Sequence, residues 1–362
     1  MPWRWYQLYA QSQVEDSGVE ELPEDSSVQS SAESSNPESS QSSESSQSSQ
    51  SSQSSQSSQS SQSSQSGQSS QSSQSSQSGQ SSQKENSDKP VMSVPPAKNP
   101  AEDEIYTVNG KTMSALDAVS YMVMSEIGGN FNEEAIKAQA VTCYTYLKFH
   151  GPTVTGVGIH RTPTQKVKNI VSSVLGEYMV DNVSGKPVAA SYHAISAGVT
   201  NSSAMVWGGN VRNLLSVESW LDVNAPNYET TLVLSADDVK NMLETNLGAS
   251  FEGLDKKDWF GIISYTTADN LYVNKIRVGD TVTTGRFMRE KWLKRGSNML
   301  LRSAAFSIEY NESTDKFVFT VKGYGHGVGL SQYGAQFYAE QGKDYKWILH
   351  HYFSNMDIIK QS

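Results

Sequence analysis

Apolar residues recur at helical spacing along 114–126, where Leu116, Val119, Tyr121, Met122, Val123 and Met124 supply one face. Ser114 can cap this helix, with Asp117 three positions on in the manner of a capping box, and Gly128-Gly129 end it. Asn132 can cap a second helix, whose Glu133 and Glu134 suit the positive end of the helix dipole. Its predicted buried stripe is Ala135, Ile136, Ala138, Gln139, Val141, Thr142, Tyr146 and Phe149. Pro163 is expected to open a third helix running to 174. A strand is predicted over 187–196, and Ser235-Ala236-Asp237-Asp238 starts another helix. Strand signals then dominate at 262–267, 271–278, 305–310 and 316–322, interrupted by a helix over 284–295. Helices near 331–340 and 344–353 close the pattern. Helices and strands are segregated rather than strictly alternating, so the expected class is α+β, a single domain over 104–362.

The first 103 residues break this pattern. From Ser26 to Gln83 the chain is almost wholly Ser and Gln, with no apolar residue at helical or strand spacing. Nothing there can be buried to offset the entropy of ordering, so 1–103 is expected to be a disordered tether and linker. A flexible coil of that repeat's length spans roughly 40 Å. Pro90, Pro95, Pro96 and Pro100 stiffen its approach to the folded part. Of the 28 basic and 38 acidic residues, 4 and 13 fall in 1–103, so the tether carries most of the net charge of −10. No basic stripe remains to meet a phosphate backbone, and nucleic acid is not an expected partner.

Cys143 is the only cysteine, which excludes an intramolecular disulfide and fits either the cytosol or a cysteine-poor secreted protein. No run is long and apolar enough to span a bilayer. A tether is useful only when tied, however, and Met1-Pro2-Trp3-Arg4-Trp5-Tyr6 has the look of an interfacial end. An upstream membrane anchor is therefore expected, with the folded part outside the cytoplasm.

Two segments carry candidate chemistry. Ser125-Glu126-Ile127-Gly128-Gly129 puts a carboxylate at a helix C-terminus, where unpaired carbonyls disfavour its ionised form and raise its pKa. That is the direction a general acid needs near neutral pH, although the last turn of a helix also suits a solvent-facing Glu. The second segment runs Tyr324-Gly325-His326-Gly327-Val328-Gly329-Leu330-Ser331-Gln332-Tyr333-Gly334. So many glycines are costly in backbone entropy unless a ligand or another strand must approach closely. Ser331, Gln332 and Tyr333 follow where free helix N–H groups can bind oxygens. A tight structural crossing around a core histidine is the other reading of this loop. Tyr192-His193-Ala194-Ile195-Ser196-Ala197-Gly198-Val199-Thr200 ends a strand in small and hydroxyl residues, which suits a sugar-lined cleft through His193, Ser196 and Thr200. Of Trp207, Trp220, Trp259, Trp292 and Trp347, one or two are expected to stack on sugar and the rest to be core. No phosphate loop, serine elbow or metal-ligand spacing is present, and no cofactor or metal is expected. Together the two segments point to carbohydrate cleavage.

These pieces resemble the stage II sporulation protein D family, with which the amidase enhancers are grouped. The matching segments are Ser125-Glu126, Glu134-Ala135-Ile136-Lys137-Ala138-Gln139-Ala140-Val141 and Thr145-Tyr146. Further on come 196–200, Leu214-Leu215-Ser216-Val217, Leu301-Arg302-Ser303-Ala304-Ala305-Phe306, 324–335 and 348–352, in the family's order across 105–358. The resemblance implies a cell-wall lytic transglycosylase that cuts peptidoglycan between N-acetylmuramic acid and N-acetylglucosamine. It further implies a preference for strands stripped by an amidase, and a role in engulfment during sporulation. The family's catalytic Glu falls on Glu126. As acid it gives a proton to the glycosidic oxygen; as carboxylate it takes one from the muramyl C6 hydroxyl, which closes a 1,6-anhydro ring, so one carboxylate suffices. A non-catalytic module that stimulates a partner amidase is the alternative. Three positions depart from the family: Ile127-Gly128 stands for Met-Pro, Tyr144 for an arginine, and Ala197-Gly198 for a double glycine.

Overall fold

The computed structural model describes residues 99–361. The expected disordered tether lies, as far as residue 98, outside the described residues. The described residues before the expected boundary at 104 already pack. Asn99 caps the 3-10 turn Pro100–Asp103 and donates from Nδ2 to the Leu175 carbonyl at 2.7 Å, which fixes fully buried Ala101 against the core.

Strands β1 (Ile105–Val108) and β2 (Lys111–Ser114) make a hairpin across Asn109 and Gly110, both at positive φ. Helix α1 (Ala115–Glu126) follows at once, its Ser114 Oγ accepting from the Asp117 N–H at 3.2 Å. The capping box is only half made, because the Asp117 carboxylate pairs with Lys168 at 2.8 Å instead. Helix α2 (Glu133–His150) is capped by Asn132 and buries 12 of its 18 residues. The predicted stripe covered one side only. Strand and helix neighbours surround α2, so Ala140, Cys143, Tyr144, Thr145 and Leu147 are buried as well, the mark of a central helix. Burying each large aliphatic side chain here contributes about 1.5–3 kcal/mol.

β3 (Thr153–Val154) runs parallel to β1, and α3 (Gln165–Val174) starts beyond Pro163 because Thr164 is its cap. β4 (Glu177–Asp181) follows. Of the strand predicted over 187–196, only β5 (Tyr192–His193) has regular pairing. Its flanks make single contacts, Val188 N–H to Met179 O and Ile195 with Tyr324. The short helix α4 (Ser203–Trp207) ends this half.

The chain then builds a second core. β6 (Glu229–Ser235) leads into α5 (Ala236–Leu247), and β7 (Phe260–Tyr265), β8 (Val273–Val278) and β9 (Thr281–Thr284) form an antiparallel sheet. In place of one helix over 284–295, a single turn, α6 (Gly285–Phe287), passes into a π turn at Met288–Trp292, then into the hairpin β10 (Lys294–Arg295) and β11 (Asn298–Met299). β12 (Ala305–Asn311) and β13 (Lys316–Lys322) join β6 in the order β12-β13-β6. The chain returns through β14 (Leu330–Ser331), parallel to β5, to α7 (Gln332–Glu340), α8 (Tyr345–Tyr352) and β15 (Met356–Lys360), which pairs with β4.

Ile136, Leu147, Met179 and Tyr352 lie at the heart of the first core, and Leu243, Ile276, Phe317 and Phe319 at the heart of the second. Between them sits a small cluster of Ala197, Tyr272 and Ala305. The neck of the second core is closed: Gly323 N–H donates to Tyr228 O at 2.7 Å. The observed class is α+β, and no helix among the described residues is long and apolar enough to cross a membrane.

Candidate active site

Glu126 is the last residue of α1, where the chain turns at Ile127 and the Ile127 N–H still reaches back to Val123 O. Its carboxylate lies on a cleft of about 370 Å³ whose wall also includes Tyr192, His193, Trp207, Tyr324, His326 and Gln332. The two candidate segments, almost two hundred positions apart, therefore meet. Burial pushes the Glu126 carboxyl above its usual range, while the Tyr192 hydroxyl and the Gln332 amide bond to it and His160 acts on it electrostatically in the opposite sense. Removal from water is the largest cause of this shift. Gly158 closes the approach, since a Cβ there would stand 3.1 Å from Glu126 Oε1.

Gln332, first residue of α7, is held from behind. Its Nε2 donates to Gln139 Oε1 at 3.4 Å, and Gln139 Nε2 donates to Cys143 Sγ at 3.3 Å. Burial pushes the Cys143 thiol up to about 12, which leaves it an inert packing group.

The two histidines owe their state to one residue. Val328 N–H donates to His326 Nδ1 at 3.0 Å, so His326 carries its proton on Nε2 and turns it to the Tyr192 carbonyl. The Val328 carbonyl, 3.2 Å from His193 Nδ1, accepts a hydrogen bond from that ring's N–H. His193 Nε2 is thus a lone pair, buried in the cleft wall and without a hydrogen-bond partner. Burial lowers the His193 pKa to about 4, and burial, with the charges of His193 and Arg289, lowers that of His326, so both rings are neutral at ordinary pH. Their centroids are 5.7 Å apart, and Trp207 lies 5.2 Å from His326. Gly325 is what allows this closeness: at φ +119° it passes where a Cβ would meet the His193 Cβ at 2.7 Å. At the cleft mouth the Arg302 guanidinium stacks 4.3 Å from the Tyr324 ring, leaving Tyr324 nearly half exposed.

Four expected cleft residues lie elsewhere. Ser331 is fully buried; its Oγ caps α7 at Gly334 and donates to Asp222 Oδ2 at 2.7 Å. Ser196 is buried beside it, with its N–H 2.7 Å from the same oxygen. Thr200 is buried too, its Oγ1 accepting from Val217 N–H at 2.9 Å. Tyr333 turns away to pack edge-on against Phe131 at 5.2 Å. A helix start needs its hydroxyls for its own backbone, and that need outweighs ligand binding here. Asp222 was not anticipated: it gathers Ser196, Ser219 and Ser331 on one oxygen, and burial lifts its pKa to about 6. Nothing in its local sequence, Trp220-Leu221-Asp222-Val223, marks it.

Tyr144, standing for the family's arginine, is far from this chemistry. Its hydroxyl donates to Glu104 Oε2 at 2.8 Å, in a group shared with Lys148 and Gln361. Glu134 does more than suit the helix dipole, since its Oε2 accepts from the Tyr345 N–H at 2.9 Å and ties α2 to α8. Among the tryptophans Trp207 lines the cleft, Trp259 and Trp292 belong to the second core, and Trp220 and Trp347 are surface residues. Tyr192, Gln139 and Tyr324 are the site residues that spacing did not single out as ligands. All three act through contacts made only after the chain has folded back.

No family model matches the chain. It is 28% identical over 292 residues to the stage II sporulation protein D of Bacillus amyloliquefaciens, covering 72% of this chain and 79% of the relative. It is 26% identical over 311 residues to the stage II sporulation protein D of Bacillus subtilis (strain 168), covering 75% and 85%. An amidase enhancer of Bacillus subtilis (strain 168) is 26% identical over 285 residues, which is 64% of this chain and 39% of that protein. With the helix-end glutamate and the glycine–histidine loop brought to one cleft, the chain is similar to stage II sporulation protein D over 72–75% of its length.

Proposed function

We propose that this protein is a peptidoglycan lytic transglycosylase, with Glu126 as its acid and base, acting outside the cytoplasm on the cell wall. The likeness to stage II sporulation protein D and to an amidase enhancer supports a role on the wall. The observation that carries the chemistry is a single half-buried carboxyl, raised in pKa, on a cleft whose lining holds no second acid among the described residues. A glycoside hydrolase of the usual kind needs two carboxyl groups flanking the bond, about 5–9.5 Å apart. One carboxyl suffices where the sugar carries its own nucleophile.

Protonated Glu126 gives its proton to the glycosidic oxygen as the C1–O bond breaks and positive charge develops on the muramyl ring. The resulting carboxylate takes the proton of the C6 hydroxyl, whose oxygen bonds to C1 and closes the 1,6-anhydro ring. His193 Nε2 is placed to accept a hydrogen bond from a sugar hydroxyl, and Tyr324 and Trp207 offer ring faces to the sugars. Tyr192 and Gln332 hold the carboxyl in place.

The test digests amidase-stripped glycan and seeks 1,6-anhydromuramyl ends by mass spectrometry. Wild type should release them, and Glu126→Gln should slow release about 10³-fold. Reducing ends in their place would make the protein a hydrolase. A second reading, favoured by the likeness to an amidase enhancer, is a wall-binding partner that stimulates an amidase without cutting glycan. It would prevail if wild type and variant alike yield no anhydro ends while both raise amidase activity.

A further inference from the structure

We propose that His193 makes the cleft selective for sugars that keep their 2-acetamido group, by accepting the acetamido N–H on its Nε2. The inference rests on reading the cleft as a glycan site, and it narrows which group of the sugar His193 meets.

The cleft holds an acceptor left open. His193 Nδ1–H is taken by the Val328 carbonyl at 3.2 Å, so Nε2 presents a lone pair. That lone pair is buried in the cleft wall with no hydrogen-bond partner among the described residues. A buried acceptor without a donor is costly, and a bound donor removes the cost. The ring is flanked by the Gly325 backbone, which leaves no room for a Cβ, and by the His326 ring with its centroid 5.7 Å away. The lone pair is therefore set in place before a ligand arrives.

The surroundings decide which donor fits. Three donors of the cleft are already committed: the Tyr192 hydroxyl and the Gln332 amide bond to Glu126, and His326 gives its Nε2 proton to the Tyr192 carbonyl. A sugar hydroxyl brought to His193 would donate its proton and leave its own lone pairs without those donors. An amide N–H has no lone pair to satisfy, because the nitrogen's is delocalised into the carbonyl. The acetyl methyl beside it needs an apolar neighbour, and Trp207, Ala190 and Ala194 stand in the same wall. The acetyl oxygen can keep its water on the open side of the cleft. A de-N-acetylated sugar carries an ammonium on the same carbon. It brings three N–H donors and a full charge to one lone pair, and it gives up hydration that the wall does not replace.

The test measures equilibrium binding of the cleavage-impaired Glu126→Gln protein to tetrasaccharides of N-acetylglucosamine and N-acetylmuramic acid. Analogues carry an amine, a hydroxyl or an O-acetyl ester in place of the acetamido group, in one sugar type at a time. The ester keeps the acetyl shape and lacks only the N–H. The acetamido form should bind at least about tenfold tighter than any of the three. Replacing one sugar type at a time shows whether the glucosaminyl or the muramyl ring supplies the group. His193→Phe should bring the acetamido form down to the level of the ester. His193→Gln should keep the preference, since its nitrogen can donate to the Val328 carbonyl and its oxygen then faces the cleft. Equal binding of acetamido and ester overturns the proposal, as does a preference that His193→Phe leaves intact. The ligand series needs no change at position 193, so a His193→Phe protein that fails to fold leaves that comparison standing. The two readings fail separately. Anhydro ends formed by wild type without an acetamido preference remove the role of His193 alone; the preference without anhydro ends removes the lytic reading alone.

Discussion

Burial raises the Glu126 carboxyl above the usual carboxylate range, against the lowering effect of Tyr192, Gln332 and His160, and a pH dependence follows from that. On the proposed chemistry the acid form must be present to cleave, so kcat/KM should fall as pH rises through the raised Glu126 value. At the other end His193, with a pKa of about 4, must stay neutral to offer its Nε2 lone pair. Activity should therefore also fall below about pH 4, and His193→Gln should move that acid limb while Glu126→Gln slows turnover about 10³-fold. A pH–rate profile checks both, and an acid limb unchanged in His193→Gln would remove His193 from the cleft's working set. Glu126 was legible because a carboxylate followed by Ile-Gly-Gly at a helix end is chemically conspicuous. Its cleft neighbours were not, because Tyr192, Val157 and Gln332 come from distant parts of the chain. Ser331 was misread for the converse reason. Its position at a helix start was clear, but whether a hydroxyl there faces a ligand or its own backbone depends on Asp222.

At the scale of elements, Asp222 is the pin. Its Oδ2 accepts from the Ser196 N–H, the Ser219 hydroxyl and the Ser331 hydroxyl, drawing together the stretch after β5, the loop before the second core and the start of α7. Asp222→Ala would leave three buried donors unsatisfied and should lower stability by about 3 kcal/mol, read as a urea midpoint. Asp222→Asn keeps an accepting oxygen and should lose much less. The wild-type carboxyl has its folded pKa raised to about 6, so the folded state binds the extra proton between the ordinary carboxylate range and that value. Its contribution to stability therefore declines as pH rises through about 6, and in Asp222→Asn this component of the slope should vanish. Equal midpoints for wild type and Asp222→Ala would refute the pinning role. Helices α1, α2, α7 and α8 were readable from period and caps, since Ser114, Asn132, Ser331 and Asp344 all cap as their residue types imply. The β1–β2 hairpin also had its signal, the dipeptide Asn109-Gly110, which favours the turn observed. The stretch 284–295 was less legible: its apolar and charged spacing fits a helix, yet it breaks into a π turn that seats Arg289 against the Arg302 carbonyl.

For the whole molecule, the division into two cores could not be read from local pattern, because one chain direction and one composition run through both. Tyr272 joins them. Fully buried between the cores, it accepts from the Ala197 N–H at 2.8 Å. Tyr272→Phe would orphan that N–H and should lower stability by about 1–3 kcal/mol, measurable by denaturant titration. An unchanged midpoint would mean that the cores are held together elsewhere. The hydrogen bond between Gly323 and Tyr228 has a consequence of its own. Because the chain leaves and rejoins the first core at touching residues, everything from β6 to β13 is a module hung on a clasp. A short turn across the clasp could replace the whole module and leave Glu126, Tyr192 and Gln332 where they stand. Arg286 and Arg289 would depart with it. In this architecture the two cores are separable parts, free to be inherited, lost or exchanged independently.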